Sequence, residues 1–216
     1  MSAKIKYFFQ ESWLLMIASV LFGMLLAATD AAWKPRIEQN AVNRFTSLAG
    51  GLLTQAIRFE STGKPITIQI ANKPVAADVK RGVDAAGQTV GWVFVCEGSG
   101  FADKIKLVVA VDAAFEKMAG FGVLSSNETP GFGDKINITP QDGGFFQPQF
   151  IGAPVGSLTL NKVGDSKAID AEIIAISGAT VSSQAVVTIL NAWLVPIKEK
   201  LAAEGLLQTL TPTPVQ

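Results

Sequence analysis

The sequence predicts an α+β domain, a twisted and mostly antiparallel sheet with helices packed on it, preceded by one N-terminal transmembrane helix. Three observations carry this. The run from Ser12 to Thr29 contains no charged residue. Short runs rich in β-branched residues follow, separated by Gly and Pro turns. Near the end, Val186, Ile189, Leu190 and Trp193 fall at i, i+3, i+4 and i+7, the single apolar stripe of a helix.

The elements follow in order. An uncharged apolar run of about 18 or more residues is long enough to reach across a hydrocarbon core. Tyr7, Trp13 and Trp33 stand near its ends, as interfacial aromatics do, and Lys4 and Lys6 precede it. The positive-inside bias then keeps the N-terminus in the cytoplasm and exports the remainder. The alternative is a cleaved signal peptide, with the small residues of "ATDAA" as the cleavage site. The run exceeds the usual h-region of about 7–15 residues, which favours a retained anchor. Pro35 to Leu53 reads as a helix leading away from the membrane, with Ile37, Ala41, Phe45 and Leu48 on one face and a break at Gly50-Gly51.

"PITIQIA", Pro65 to Ala71, alternates as a half-buried strand does. Thr89 to Gly98 and Lys104 to Asp112 are β-branched runs joined by "GSGFAD", the composition of a hairpin turn. A further strand is expected near Gly120 to Leu124, within Phe115 to Ser126. Asn127 to Asp134 is a loop by its Gly and Pro content. Two late strands are expected within Ser157–Val163 and Ala171–Ser177. The expected organisation is therefore a cytoplasmic N-terminus and anchor over 1–33, an extracytoplasmic domain over 34–205, and a Thr/Pro-rich tail over 206–216.

Composition excludes several functions. The 216 residues carry 18 Lys+Arg and 18 Asp+Glu, so no basic surplus points to nucleic acid. The absence of histidine removes His-based acid–base catalysis, Ser-His-Asp triads and His-ligated haem or zinc. One cysteine, Cys96, permits neither an intrachain disulfide nor an iron–sulfur cluster. No catalytic residue and no metal ligand is therefore assigned, and redox work would need an organic cofactor.

The stretch "AISGATVSSQAVVTILNAWL", Ala175 to Leu194, sets small and hydroxylated residues at the start of the apolar helix. Ser177 or Thr180 is expected at or near the N-cap. Free N–H groups and the positive dipole end make such a place suited to phosphate. Gly178 and Ala179 admit close approach of a ligand, and Ser182 and Ser183 add hydroxyls. A hydroxyl cap with nothing bound is the plainer reading of the same residues.

"SGATVSSQAV" resembles the signature of the FMN-binding domain found in the G subunit of Rnf, the ferredoxin:NAD oxidoreductase, and in the C subunit of the sodium-translocating NADH:quinone oxidoreductase. "SSNETPGFGDKI", Ser125 to Ile136, is similar to the second block of that family, with Phe132 where Leu is usual. "GWVFVCEGSGFADKIKLVVAVD" echoes its strand, glycine turn and strand. The family usually has Asp three residues before the S/T-G-A-T motif. Ile174 stands there, and Asp170 and Glu172 lie slightly upstream.

The resemblance implies FMN held covalently by a phosphoester on Thr180, installed by a flavin transferase. It implies Glu128, Thr129, Pro130 and Gly131 close to the flavin, with Trp92, Phe132 or Phe145 as a cover for the ring. It also implies an electron relay with no substrate turnover of its own, neighbouring subunits of an Rnf-type complex as partners, and a single pass through lipid in the cytoplasmic membrane with the main domain periplasmic. Shortness and "KPRIEQNAV" favour Rnf over the quinone reductase. A membrane-anchored scaffold without flavin is the competing class.

Overall fold

The structure is a computed structural model that describes residues 2–63 and 65–207, with side chains from residue 11 onward. Apart from Leu206 and Leu207, the Thr/Pro-rich tail lies outside the described residues, as do the side chains of Lys4, Lys6 and Tyr7. Two compact units divide the chain, Met1–Arg44 and Phe45–Gln216.

Helix α1 runs Ser2–Leu52, with Pro35 inside it. Its stretch Glu11–Leu52 contains an 18-residue window of mean hydropathy 2.0, none of it buried. Leu14, Leu15, Phe22, Leu25 and Leu26 are all exposed on it. A helix that is apolar all round and has no protein cover suits lipid. The expected break at Gly50-Gly51 does not occur there, because the helix continues to Leu52. Two glycines cost about 1 kcal/mol each in a helix. Burial of Phe45, Ala49 and Leu53 against the sheet offsets that cost.

The second unit is built on a five-stranded antiparallel sheet in the order β1-β4-β5-β6-β7. Its strands are β1 (Arg58–Ser61), β4 (Val79–Val83), β5 (Thr89–Ser99), β6 (Lys104–Asp112) and β7 (Met118–Ser126). Between β1 and β4, β2 (Ile66–Ile70) and β3 (Lys73–Ala77) form a separate hairpin. Its turn, Ala71-Asn72, has positive φ at both residues, the I′ pattern that matches strand twist. β8 (Thr159–Asn161) and β9 (Glu172–Ile174) pair in parallel and are shorter than the sequence runs that mark them.

Alternation along the strands explains why they read as nearly continuous apolar runs. Trp92, Phe94 and Cys96 of β5 and Leu107, Val109 and Val111 of β6 join the main core. Val93, Val108 and Ala110 join the second cluster, beneath Phe45, Ala49 and Leu53. Both faces of the sheet are thus covered. The main core is closed by α2 (Thr180–Ala203), whose Val186, Ile189, Leu190 and Trp193 are all buried as the stripe requires. Gly98 makes room for this helix, since an added Cβ there would meet Ile189 Cγ1 at 2.5 Å. Trp193 Nε1 donates to the Glu97 carbonyl at 3.0 Å. Mean hydropathy in α2 reaches 1.4, but half of that window is buried in the domain, as befits a core helix.

Candidate functional site

Three segments converge at the start of α2. The β5–β6 turn is closed by Gly100 N donating to the Asp103 carbonyl at 2.7 Å, and it carries Phe101 at its tip. The loop after β7 folds back on itself, with Phe132 N and Asp134 N both donating to the Thr129 carbonyl. It then enters a 3₁₀ turn at Gly133–Asn137. The third segment is the S-G-A-T turn, where Gly178 adopts φ +79°, a conformation that side chains disfavour.

Thr180 lies next to the N-cap, as expected, but makes no capping bond. Ala179 occupies the N-cap, Thr180 is the first helical residue, and no side chain caps the helix end. The turn is latched from inside the helix instead. Ser183 Oγ donates to the Ala179 carbonyl at 2.9 Å and accepts from Ile176 N at 3.1 Å. The first helical bond runs from Ser183 N to Ala179 O, and Ala179 N donates to Ile176 O. The amides of Thr180, Val181 and Ser182 therefore precede the helical ladder and point out of the helix end.

A cavity of about 420 Å³ opens at this point. It is lined by Phe101, by Thr129, Phe132 and Gly133, and by Gly178 to Ser182. Phe101, Phe132 and Val181 are 68%, 60% and 58% exposed, so three large apolar side chains from three segments rim one opening. A smaller cavity of about 240 Å³ adjoins on the other side of the turn, lined among others by Lys135, Phe145 and Ser177. Lys135 Nζ lies 3.9 Å from where a Cβ on Gly178 would stand. Among the described residues no ion pair engages it. Between the two cavity linings, Asp134 keeps Oδ1 buried without a hydrogen-bond partner among the described residues.

The structure thus brings Thr180, Gly178, Ala179, Ser182 and Thr129 to one cavity, with Ser177 at its neighbour. Pro130 and Gly131 form the exposed turn that presents Thr129 and Phe132. Ser183 is fully buried and spent on the backbone. Glu128 is buried too, accepting from the Ser182 hydroxyl and from Ala102 N. Trp92 is far from a cover role: it is a core residue whose Nε1 donates to the Ala113 carbonyl at 3.2 Å. Sequence reasoning missed Phe101, Val181 and Lys135. The available signal was an apolar residue at the tip of a tight turn and another at the open end of a helix.

An apolar-rimmed cleft with hydroxyls and free amides, and with the Lys135 ammonium close to Gly178, can hold an aromatic ligand bearing a phosphate. Residues 100–195, which include every lining residue, match the FMN-binding domain family. The chain is 33% identical to the G subunit of the ion-translocating oxidoreductase complex of Methanosarcina acetivorans, over 82% of its length and 88% of that protein's. It is 26% identical to the G subunit of the sodium-translocating ferredoxin:NAD(+) oxidoreductase complex of Acetobacterium woodii, over 86% and 89% of the two chains. The crystal structure of Shewanella oneidensis NqrC superposes with a TM-score of 0.54 at 25% identity, over 69% of this chain and 73% of that one. Fold and site together define an FMN-binding domain joined to an apolar N-terminal helix. The chain belongs to the G-subunit family of the ion-translocating oxidoreductase complexes.

The residues present fit that cofactor. Three outward amides, the Thr180 hydroxyl and Lys135 offer donors and positive charge for a phosphate. A ring system would find apolar neighbours in Phe101, Phe132 and Val181.

Proposed function

We propose that this chain is the FMN-carrying electron-transfer subunit of an Rnf-type membrane complex, with FMN joined to Thr180 by a phosphoester. The observation that carries the reading is the position of Thr180. It is the first residue of a long helix and lines the cavity, and no cap bond consumes a hydroxyl there.

When bound, FMN supplies the one-electron chemistry that the side chains of this chain lack. The chain's own residues bind and orient it. Thr180 Oγ1 would be the tether, the ester oxygen through which the phosphate is held. The amides of Thr180, Val181 and Ser182 and the Lys135 ammonium balance the phosphate charge. Phe101, Phe132 and Val181 would flank the ring system and reduce its contact with water. Gly178 and Ala179 would let the backbone approach, and Thr129 would offer a hydroxyl. Ser182, whose hydroxyl proton goes to Glu128, would offer its amide, while Ser183 latches the turn and Ser177 stands at the neighbouring cavity. Pro130 and Gly131 shape the loop opposite.

Residues 1–33 anchor the chain in the cytoplasmic membrane by a single pass, with the N-terminus cytoplasmic and residues 34–205 periplasmic. Exposed apolar side chains on α1 meet lipid. The partners are the other membrane subunits, which take electrons from the flavin and deliver them to it, and the flavin transferase that matures Thr180. The G-subunit assignment is preferred to the C subunit of the quinone reductase because identity is higher and coverage greater, 33% over 82% of the chain against 25% over 69%.

The test is to produce the chain with its flavin transferase, denature it in SDS and look for flavin fluorescence in the gel band, with Thr180→Ala alongside. Fluorescence that survives denaturation and disappears in the variant is expected. A dark wild-type band overturns the covalent assignment.

A further inference from the structure

We propose that Glu128 is a positioning residue that pins the three walls of the cavity at their working separation and does not itself touch the flavin. Its functional meaning rests on the FMN reading above.

The geometry carries it. Glu128 is 5% exposed and is not among the residues lining the cavity. Both carboxylate oxygens are already taken by protein donors from different segments. Oε1 accepts from Ala102 N at 3.0 Å, on the β5–β6 turn. Oε2 accepts from Ser182 Oγ, in the first turn of α2. Its own segment is the loop that leads to Phe132. An added Cβ at Gly133 would meet Oε2 at 2.7 Å, so this wall also closes on the carboxylate. Each contact point directly follows one rim residue in sequence: Ala102 follows Phe101, Ser182 follows Val181, and Gly133 follows Phe132. One buried carboxylate therefore fixes the roots of all three exposed apolar side chains.

A carboxylate suits this task because it offers two acceptor oxygens in a rigid fork. The same charge argues against direct contact with a phosphate, where like charges repel in a low-dielectric site. The role expected from the motif alone, a flavin neighbour, is thereby replaced by one behind the wall.

The test uses the full chain in detergent, produced without flavin transferase and titrated with FMN by fluorescence. Glu128→Ala should weaken binding about tenfold, the scale of a lost buried hydrogen-bonding group. Glu128→Gln should stay within about threefold, because its carbonyl still accepts from Ala102 N and its amide can donate to Ser182 Oγ. Ser182→Ala should weaken binding less, and the Glu128→Ala/Ser182→Ala pair should be clearly less than additive. If the full loss from Glu128→Ala persists in the Ser182→Ala background and Gln fails to rescue, Glu128 touches the flavin and the proposal falls.

Amide exchange in the flavin-free chain gives an independent reading. Ala102 N–H should lose protection in Glu128→Ala and keep it in Glu128→Gln, and unchanged protection in Glu128→Ala overturns the clamp. Should the wild-type chain bind no free FMN, the exchange result decides the clamp, and the SDS-gel fluorescence test alone decides the proposed function.

Discussion

Gly133→Ala gives a direct measure of how tightly the cavity's back wall is packed. The new Cβ would stand 2.5 Å from Ser182 Oγ, 2.7 Å from Glu128 Oε2 and 3.0 Å from Glu128 Cβ. Ordinary carbon–oxygen contacts begin at roughly 3.3 Å, so Ser182 or Glu128 must move by several tenths of an ångström. Neither is free to do so. Ser182 sits in a helical turn latched by Ser183, and Glu128 is held by Ala102 N.

Backbone strain makes no contribution, since Gly133 is not among the positive-φ glycines. Overpacking costs about 1–3 kcal/mol, and displacing the Ser182 hydroxyl leaves a buried carboxylate oxygen short of a donor, about 1–3 kcal/mol more. The two share one displacement and do not add in full, so about 2–3 kcal/mol is expected. At about 2–4 °C per kcal/mol for a domain of this size, the melting temperature should fall by about 4–12 °C. Circular dichroism melts in detergent measure it. Gly156→Ala is the control, because nothing lies within 4 Å of a Cβ there. A Gly133→Ala protein that melts with that control would mean Ser182 and Glu128 swing aside freely, and the packed-wall reasoning would be refuted.

Two further predictions test the core and the anchor. Burial holds the Cys96 thiol well above the ordinary value of 9.0, so it stays protonated in the folded chain while the unfolded thiol ionises. Above that value the unfolded state binds fewer protons, and stability should fall by about 1.4 kcal/mol per pH unit beyond any change seen in Cys96→Ala. Urea midpoints at pH 8 and 10 for both proteins check this, and equal falls would count against it. Leu21→Lys places a charge at the centre of the exposed apolar run, at an insertion cost of about 3–4 kcal/mol. The variant should lose retention in alkali-washed membranes, and full retention would argue against a spanning α1.

What could be read from the chain followed from periodicity. The α2 stripe, the β5–β6 hairpin and the apolar N-terminal run are patterns within a short stretch, and each forms an element, the last an exposed apolar helix. Elements defined by their neighbours were not readable. β3 carries Pro74 and a polar start, and its turn uses Ala71-Asn72 without glycine, so nothing local marks a hairpin. β1 and β4 are short and charged, Arg58, Glu60, Lys80 and Arg81 among their residues. α1 outruns Gly50-Gly51 because Ala49 and Leu53 gain burial that propensity does not know about.

The site divides along the same line. A hydroxylated turn before an apolar helix is a local pattern, and Thr180 stands where that pattern points, one residue later than a cap. The walls are not local: Phe101 lies 80 positions from Val181, and only the fold makes them two sides of one opening. On the clamp proposed above, Glu128 is a residue that a motif marks for a reason other than contact with the ligand. Read along the chain, an acidic residue ahead of a Thr-Pro-Gly turn looks like a ligand to whatever the loop holds. Read in space, its oxygens face Ala102 N and Ser182 Oγ, and its charge is a liability beside a phosphate. On the proposed clamp, a residue that touches no cofactor still decides whether the cofactor fits, because the distance between the walls is set from behind.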